Sequence, residues 1–293
     1  MTKSPHLFCF GLGYSAAALA RHLLAQGPAG GWQVTGTCRD ETRAAELRRL
    51  GIAPVIFDRG HPIADLGQRL ASVTHLLSSV PPDETGDPVL DTHGAAIAAA
   101  SSRMAWIGYL STTGVYGDRG GDWVDETSAL TPTGTRGRRR LEAEQAWTAL
   151  PQPAHLFRLA GIYGPGRSAL DTVRAGKARR ILKPGQVFSR IHVEDIVAVL
   201  LASIARPDPG AAYNVCDDDA ADPAEVIAFA CDLLGATPPP LVAFAEAELS
   251  PMARSFYDDN KRVRNDRIKH ALGVRLRYPS YREGLRALFA AGN

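Results

Sequence analysis

The chain has 293 residues, of which 45% are hydrophobic and 22% are charged, and this composition is typical of a folded globular protein rather than a disordered one. Its formal net charge of +2 at pH 7 gives no reason to expect a nucleic acid or a membrane surface as a partner. The four cysteines lie far apart and predict neither a disulfide framework nor a metal site. The sequence has no apolar signal segment and no stretch long enough to cross a bilayer, so we expect a cytoplasmic protein.

The first half of the chain alternates short β-rich runs with amphipathic helical patterns. Six strands are predicted, at residues 7–10, 33–38, 54–57, 75–79, 104–110 and 155–159. Five helices are predicted between them, at residues 14–25, 42–50, 63–71, 87–100 and 136–150. This alternation predicts an α/β fold with a Rossmann-like, doubly wound parallel sheet that is covered by helices on both faces.

Beyond Gly161 the alternation becomes irregular. The pattern there predicts a hairpin around residues 183–186, a helix at 193–204, a strand at 212–215 that joins the same sheet, and helices at 222–234, 265–272 and 281–290. We therefore expect a dinucleotide-binding Rossmann domain over residues 1–160, to which residues 186–216 return. A smaller C-terminal lobe over residues 161–293 is expected to bind the substrate.

The first strand breaks at two glycines, and a helix begins directly after them. Gly11 takes the tight backbone angle that ends the strand, Gly13 lets the backbone approach a pyrophosphate, and the small Ala16 packs the helix against the sheet. The amide groups at the start of the helix bind the phosphates. The residues predicted to contact a dinucleotide at this turn are Gly11, Gly13, Tyr14, Ser15 and Ala16.

Arg39 and Asp40 follow the second strand, at the position where such folds bind the adenosine ribose. An acidic residue there would bind the 2′-hydroxyl of NAD, whereas the planar guanidinium of Arg39 suits a 2′-phosphate. We therefore favour NADP over NAD as the cofactor, with Asp40 as the alternative ribose ligand. The ends of the third and fourth strands are expected to supply Asp58 at the adenine and Ser79, Val80 and Pro81 beside the cofactor.

Five short motifs follow the glycine turn in a fixed order. They are Ser-Thr-Thr-Gly-Val-Tyr-Gly at 111–117, Leu-Glu-Ala-Glu at 141–144, Arg-Leu-Ala-Gly-Ile-Tyr-Gly-Pro-Gly at 158–166, Ile-His-Val-Glu-Asp at 191–195 and Tyr-Asn-Val at 213–215. Together they resemble the extended short-chain dehydrogenase/reductase superfamily, the NAD-dependent epimerase/dehydratase family, over nearly the whole chain. Because relatives often dimerise through two helices, the resemblance also implies a homodimer.

The resemblance assigns Thr112 to the position of the family's Ser or Thr, which hydrogen-bonds the reacting oxygen of the substrate. The family's Tyr and Lys, which move a proton and hold the nicotinamide ribose, are replaced here by Arg136 and Arg140. A guanidinium stays protonated near neutral pH and cannot act as the acid–base group. Arg140 remains suited to ribose or phosphate, and both arginines lie on one helix face, so we expect an anionic substrate group near Arg136.

Other side chains are candidates for the remaining chemistry. Tyr116 and Tyr163 are the candidate proton donors, with a packed aromatic and a tight-loop residue as their alternative structural roles. Thr113 is expected to assist Thr112 in polarising the substrate. Arg262 is a candidate anion ligand from the second lobe, because the Asn with which relatives contact nucleotide sugars is replaced by Gly161.

The spacing of Tyr257 and Lys261 is interpreted as chance, since it lies out of order for the family's active helix. His192 and Asp195 are interpreted as structural hydrogen-bonding residues, because the resemblance places them in a segment that leads into a helix under the cofactor lobe. The sequence thus predicts an NADP-binding, atypical short-chain dehydrogenase/reductase that acts as an oxidoreductase or epimerase/dehydratase on a small anionic substrate. The alternative is a non-catalytic NADP-binding sensor or regulatory protein.

Overall fold

The computed structural model describes residues 4–27 and 31–292, and its centre is a seven-stranded sheet. The strands are β1 (His6–Phe10), β2 (Gln33–Cys38), β3 (Ala53–Ile56), β4 (His75–Ser78), β5 (Trp106–Thr112), β6 (Trp123–Val124), β7 (His155–Leu159), β8 (Gly161–Tyr163), β9 (Arg180–Leu182), β10 (Arg190–His192), β11 (Ala212–Val215), β12 (Leu241–Ala243) and β13 (Arg262–Val263). The sheet order is β11-β7-β5-β4-β1-β2-β3, and the remaining strands form three two-stranded pairs.

The described part of the chain contains eleven α-helices. They are α1 (Tyr14–Ala25), α2 (Glu41–Arg49), α3 (Leu66–Arg69), α4 (Pro88–Ser101), α5 (Thr135–Thr148), α6 (Ala169–Arg174), α7 (Val193–Ala205), α8 (Pro223–Leu234), α9 (Pro251–Phe256), α10 (Asp266–His270) and α11 (Tyr281–Ala290). Side chains of Asp40, Asp87, Ser168, Asp222, Ser250 and Ser280 cap the helices that follow them. None of the described helices is long and apolar enough to cross a bilayer.

The central strands are parallel and buried on both faces, which is why they read as continuous apolar runs in the sequence. The order of the strands reverses at β1, whose neighbours are β2 and β4. In sheets of this type, ligands bind outside the carboxyl ends of the strands at such a switch point. The predicted α/β fold with a Rossmann-like parallel sheet is therefore confirmed, and the 212–215 strand joins the sheet as predicted.

Two local predictions are wrong. The segment around residues 183–186 is not a hairpin: the chain turns there, but β9 pairs with β12 and β10 pairs with β8, both in parallel. The third helix is α3 alone rather than residues 63–71: its N-cap is Asp65, and Ile63 lies before it, where its backbone N–H donates to Nε2 of His93.

Within the described residues the chain divides into two compact units. Unit 1 comprises residues 4–27 and 31–112, Arg138–Arg158 and Leu200–Tyr213, and unit 2 comprises Thr113–Gly137, Leu159–Val199 and residues 214–292. The predicted domain limits at residues 160 and 161 stay a prediction.

Each unit has its own hydrophobic core. The core of unit 1 contains Phe8, Phe10, Leu76, Ile107 and Trp147 among others. Unit 2 is built around a separate cluster of Tyr163, Leu170, Val226, Ala230, Tyr281 and Leu285.

A buried ion pair links α5 to β7 inside unit 1. Nη2 of Arg158 lies 2.9 Å from Oε2 of Glu144, and Nε of the same guanidinium donates to both carboxylate oxygens. Both side chains are buried. Removing one partner would leave an unpaired buried charge, so this pair fixes the orientation of α5 on the sheet. Glu144 of the Leu-Glu-Ala-Glu motif is therefore a structural residue.

Candidate functional site

The turn between β1 and α1 is held by hydrogen bonds to the neighbouring strand. The N–H of Gly11 donates to Oγ1 of Thr37 at 2.7 Å, and the N–H of Leu12 donates to the carbonyl of the same threonine at 3.1 Å. Gly11 has a φ of +77°, and a Cβ atom there would lie 3.0 Å from Cγ2 of Val80 and 3.1 Å from Oγ of Ser79. Both the backbone angle and the space therefore require glycine at this position.

Gly13 is different, because a Cβ atom there would have no heavy atom within 4 Å. This residue is the N-cap of α1, it has an extended backbone, and it has no side chain with which to cap the helix. The first turn of α1 contains no acidic residue, and Ser15 and Ala16 are buried. The helix start is thus open on the side where a pyrophosphate would approach, with amide groups suited to bind it.

Two guanidinium groups follow β2, at the position that is predicted to bind the ribose. Arg39 is exposed, and Oδ1 of Asp40 accepts the backbone N–H of Arg43 at 2.8 Å as the cap of α2. Nη2 of Arg43 lies 3.4 Å from the carbonyl oxygen of Leu12, inside the glycine turn, and Nη1 pairs with Glu46. Sequence reasoning did not identify Arg43; its signal is a basic residue in the first turn of the helix that follows the ribose strand.

The residues expected beside the adenine and the cofactor also lie at the ends of their strands. The carboxylate of Asp58 accepts the N–H groups of Gly60 and His61 at 2.8 and 3.0 Å, and the hydrogen bond from His61 lowers the pKa of Asp58. Oγ of Ser79 donates to the carbonyl of Gly11, so the end of β4 is tied to the glycine turn. Val80 is half-buried against the same glycine, and Pro81 is exposed. Their roles in cofactor binding stay predictions.

Arg140 lies at the end of β5 within unit 1. Its Nη1 donates to the carbonyl oxygen of Leu110 at 2.6 Å and to the hydroxyl of Tyr109 at 3.1 Å, and its guanidinium lies 5.6 Å from the centre of the Tyr109 ring. Burial raises the pKa of Tyr109, so this hydroxyl remains a neutral partner of Arg140. Arg140 is therefore a fixed cation, anchored to the carbonyl oxygen of Leu110, which lies two residues before Thr112.

Thr112 ends β5 and is half-buried, and Thr113 is half-buried at the start of a single 3₁₀ turn over Thr113–Tyr116. Oγ of the adjacent Ser111 is buried with no hydrogen-bond partner among the described residues. Arg136 belongs to unit 2, where its guanidinium lies 5.0 Å from the centre of the Phe256 ring. Arg136 and Arg140 thus have different contacts.

Both candidate proton-donor tyrosines lie in the interior of unit 2. Tyr116 is fully buried, and its hydroxyl donates to Oδ1 of Asn214 at 2.7 Å. Tyr163 packs edge-on against His192, and a Cβ atom at Gly284 would lie 2.1 Å from its hydroxyl oxygen. Burial raises the pKa of Tyr163. These placements match the alternative structural roles, and the catalytic role of the two phenols stays a prediction.

Arg262 is half-buried on β13, which pairs with β6, and its guanidinium donates to the carbonyl of Gly121. Its predicted contact with an anion stays a prediction.

Asp195 accepts the backbone N–H groups of Arg277 and Tyr278 at 2.7 and 3.1 Å, and burial lowers the pKa of His192 to about 4. His192 and Asp195 thus form internal contacts of unit 2.

The described residues contain no cluster of His, Cys, Asp and Glu side chains that is suited to a metal ion. The candidate site is therefore built from backbone amides, hydroxyls and guanidinium groups.

No protein-family model matches the chain. A solved structure of a functionally unknown protein from Silicibacter pomeroyi is 55% identical, with a TM-score of 0.90 over 98% of this chain and 99% of that one. A protein from Methylobacillus flagellatus, provisionally assigned as an NAD-dependent epimerase/dehydratase, is 27% identical with a TM-score of 0.75 over 99% of both chains. The chain is also 26% identical over 282 residues to the 3-diazoavenalumate denitrifying reductase of a Streptomyces species. This alignment covers 87% of this chain and 91% of that protein.

Proposed function

We propose that this chain is an NADP-dependent oxidoreductase. The chain belongs to one family with the Silicibacter pomeroyi protein. Its solved neighbours support the extended short-chain dehydrogenase/reductase superfamily. Its substrate is a small anion. The Tyr–Lys pair of the superfamily has no part in its reaction, since Arg136 and Arg140 stand at those positions.

The glycine turn is the observation that carries the proposal. Gly11 is held in a conformation that only glycine adopts readily, while the space beside Gly13 is open. A dinucleotide pyrophosphate fits this arrangement, because nothing within 4 Å of the Gly13 Cβ position blocks its approach and the α1 amides bind phosphate. The proposed pyrophosphate contacts are the residues from Gly11 to Ala16.

The preference for NADP rests on Arg39 and Arg43. Arg39 is exposed and forms no ion pair within the described residues, so its charge is available to a ligand. Arg43 reaches the Leu12 carbonyl of the same turn. Asp40, the alternative ligand for a ribose hydroxyl, already accepts a hydrogen bond as a helix cap. Two guanidinium groups and one engaged carboxylate favour a 2′-phosphate over a 2′-hydroxyl.

At the other end of the cofactor we assign roles to Arg140 and Thr112. NADPH, when bound, supplies a hydride. The anchored guanidinium of Arg140 binds the nicotinamide ribose or a phosphate, and the Thr112 hydroxyl hydrogen-bonds the reacting group of the substrate. Arg140 does not supply a proton, because a guanidinium remains charged near neutral pH.

The absence of the family's proton donor favours a particular kind of acceptor. Hydride addition to a carbonyl forms an alkoxide that must be protonated, and an acid within reach normally supplies that proton. Tyr116 and Tyr163 are buried and in contact with unit 2 residues. A reductase that acts on 3-diazoavenalumate, an anion that carries a diazo group, is among the relatives. We therefore propose an acceptor whose reduction forms no alkoxide.

Stopped-flow mixing with NADPH deuterated at C4 tests the proposal. We expect NADPH to bind, and deuterium to appear in the product of an electron-poor aromatic acid that carries a diazo group but not in the products of carbonyl acids in the same panel. Thr112→Ala should slow deuterium transfer at least tenfold without a change in NADPH affinity, and Thr92→Ala on α4 is the matched control. Absence of NADPH binding would overturn the proposal.

A non-catalytic NADP sensor is the second candidate, and the replacement of Tyr and Lys by Arg136 and Arg140 favours it. A sensor binds NADPH with the same dependence on Arg39 but oxidises none of it with any acid in the panel. Deuterium transfer to a single compound decides against this alternative.

A further inference from the structure

Unit 2 contains a cavity of about 590 Å³ that no part of the proposed cofactor site uses. It lies between the loop that precedes α6, α6 itself, β10, and the first turns of α8 and α11. This volume is within the range of cavities that hold small organic ligands.

One side of the cavity is apolar and aromatic. The side chains that form this side are Ile162, Tyr163, Val226, Ile227, Tyr281 and Leu285. Four of them belong to the buried core cluster around α8 and α11, so this wall is part of the core of unit 2. It provides a surface for the hydrophobic part of a ligand.

The polar side of the cavity carries an excess of positive charge. Arg167, Lys177, Arg179 and Arg190 line it, against one acidic residue, Asp171. Asp171 is engaged in the cap of α6, where it accepts the Ser168 hydroxyl at 2.6 Å. The imbalance favours an anionic group in the cavity.

Arg190 is the most constrained of these cations. Its Nη1 donates to the carbonyl oxygens of Phe188 and Ala221, at 2.8 and 3.2 Å, and these two bonds fix the guanidinium in place. Arg190 forms no ion pair with any carboxylate among the described residues. Burial lowers the pKa of Arg190, which reflects the cost of withdrawing its charge from water. The negative charges of Asp217 and Asp219 oppose this effect, but neither carboxylate lies within ion-pair distance of the half-buried guanidinium, which can therefore accept an anionic partner from the cavity.

We propose that this cavity is a binding site for a small amphiphilic carboxylate. The acid group pairs with the guanidinium of Arg190, and the aromatic or aliphatic part packs on Val226, Tyr281 and Leu285. Planar carboxylates match the donor geometry of a guanidinium, and the open position of Lys177 adds a second positive charge at the rim. The proposal does not depend on the proposed function, because every residue in it belongs to unit 2.

Calorimetric titration of the full chain with 3-phenylpropanoate tests the site, with 3-phenylpropanamide as a neutral ligand of the same shape. The titration is made without cofactor, so that a failure of NADPH binding does not affect it. We expect the acid to bind at least tenfold more tightly than the amide. Arg190→Gln should remove that difference, while Arg275→Gln, at an exposed arginine outside the cavity, should keep it within twofold.

A second variant covers the case in which Arg190→Gln fails to fold. Ala175→Trp places a large side chain at the exposed end of α6, where the residue lines the cavity. It should weaken binding of the acid tenfold or more while unfolding at the temperature of the wild type. Equal affinity for acid and amide, or unchanged binding in Ala175→Trp, would overturn the proposal.

Discussion

Nη1 of Arg140 donates to the carbonyl oxygen of Leu110 at 2.6 Å, near the end of β5 and two residues before Thr112. A strand end in a parallel sheet of this type is where ligands bind, so the bond directs a permanent positive charge to the candidate site. A lysine has the same charge but lacks the fork with which Arg140 also contacts the Tyr109 hydroxyl. Arg140 is therefore a fixed cation whose two contacts a lysine would not reproduce.

Arg140→Met should weaken NADPH binding by roughly 10- to 150-fold, because a charge-assisted hydrogen bond contributes about 1.5–3 kcal/mol. Arg140→Lys should recover part of that affinity. Arg139→Met, at the neighbouring position on α5, should bind NADPH as the wild type does. Fluorescence titration measures all three, and equal dissociation constants for Arg140→Met and the wild type would contradict the assignment.

The two glycines of the β1–α1 turn should respond oppositely to the same substitution. Gly11→Ala places a Cβ atom 3.0 Å from Val80 at a φ of +77°, so it should lower the free energy of unfolding by about 1–2 kcal/mol. Gly13→Ala meets no atom within 4 Å at a φ of −77°, so the fold should tolerate it while NADPH affinity falls at least tenfold. Thermal unfolding and cofactor titration separate the two effects. Loss of stability in Gly13→Ala, with unchanged cofactor affinity, would contradict the role given to the open space.

Arg39 and Arg43 should determine the choice between NADPH and NADH. Arg39→Ala should raise the dissociation constant of NADPH by one to two orders of magnitude and leave that of NADH within threefold, because only NADPH carries the 2′-phosphate. Arg43→Ala should have a smaller effect in the same direction, since its guanidinium also pairs with Glu46. Arg49→Ala, in the last turn of the same helix, is the control. A proportional loss of affinity for both nucleotides would exclude a phosphate-specific role.

Local sequence patterns correctly predicted the parallel strands and the glycine turn, because these features depend on residues that are close together in the chain. The apolar runs of β1 and β4 and the paired glycines after β1 define the sheet and its switch point, because burial on both faces demands continuous apolar strands. The predicted hairpin at 183–186 was wrong, since Pro184-Gly185 specifies a turn but not the strands that pair on either side of it.

The candidate site was only partly predictable, for reasons that depend on distant segments. Arg43 contacts the glycine turn from 31 residues away. The lining of the unit 2 cavity combines residues from five parts of the chain, and no spacing within one part indicates it. Tyr116 and Tyr163 have the chemistry of proton donors in the sequence, while their burial depends on partners such as Asn214 and Gly284.

His192 should make the stability of the protein depend on pH in the weakly acidic range. Burial lowers its pKa from 6.5 to about 4, and Nδ1 accepts the backbone N–H of Glu194. Between these two values the unfolded chain binds a proton that the folded chain does not. The contribution of His192 is therefore fully present above pH 6.5 and is lost as the pH falls toward 4, by about 1.4 kcal/mol per pH unit.

His192→Asn removes the titration and keeps an acceptor for the Glu194 amide, so the free energy of unfolding of the variant should fall less steeply than that of the wild type between pH 6.5 and 4.5. Burial raises the pKa of Asp217 to about 8, so in both proteins this carboxyl group stabilises the fold as the pH falls. In the wild type this effect opposes the loss of stability that His192 causes. The two proteins must therefore be compared with each other by urea unfolding at each pH. His270→Asn, at an exposed histidine of α10, should unfold with the pH dependence of the wild type. Parallel curves for His192→Asn and the wild type would show that the imidazole titrates alike in the folded and unfolded chains.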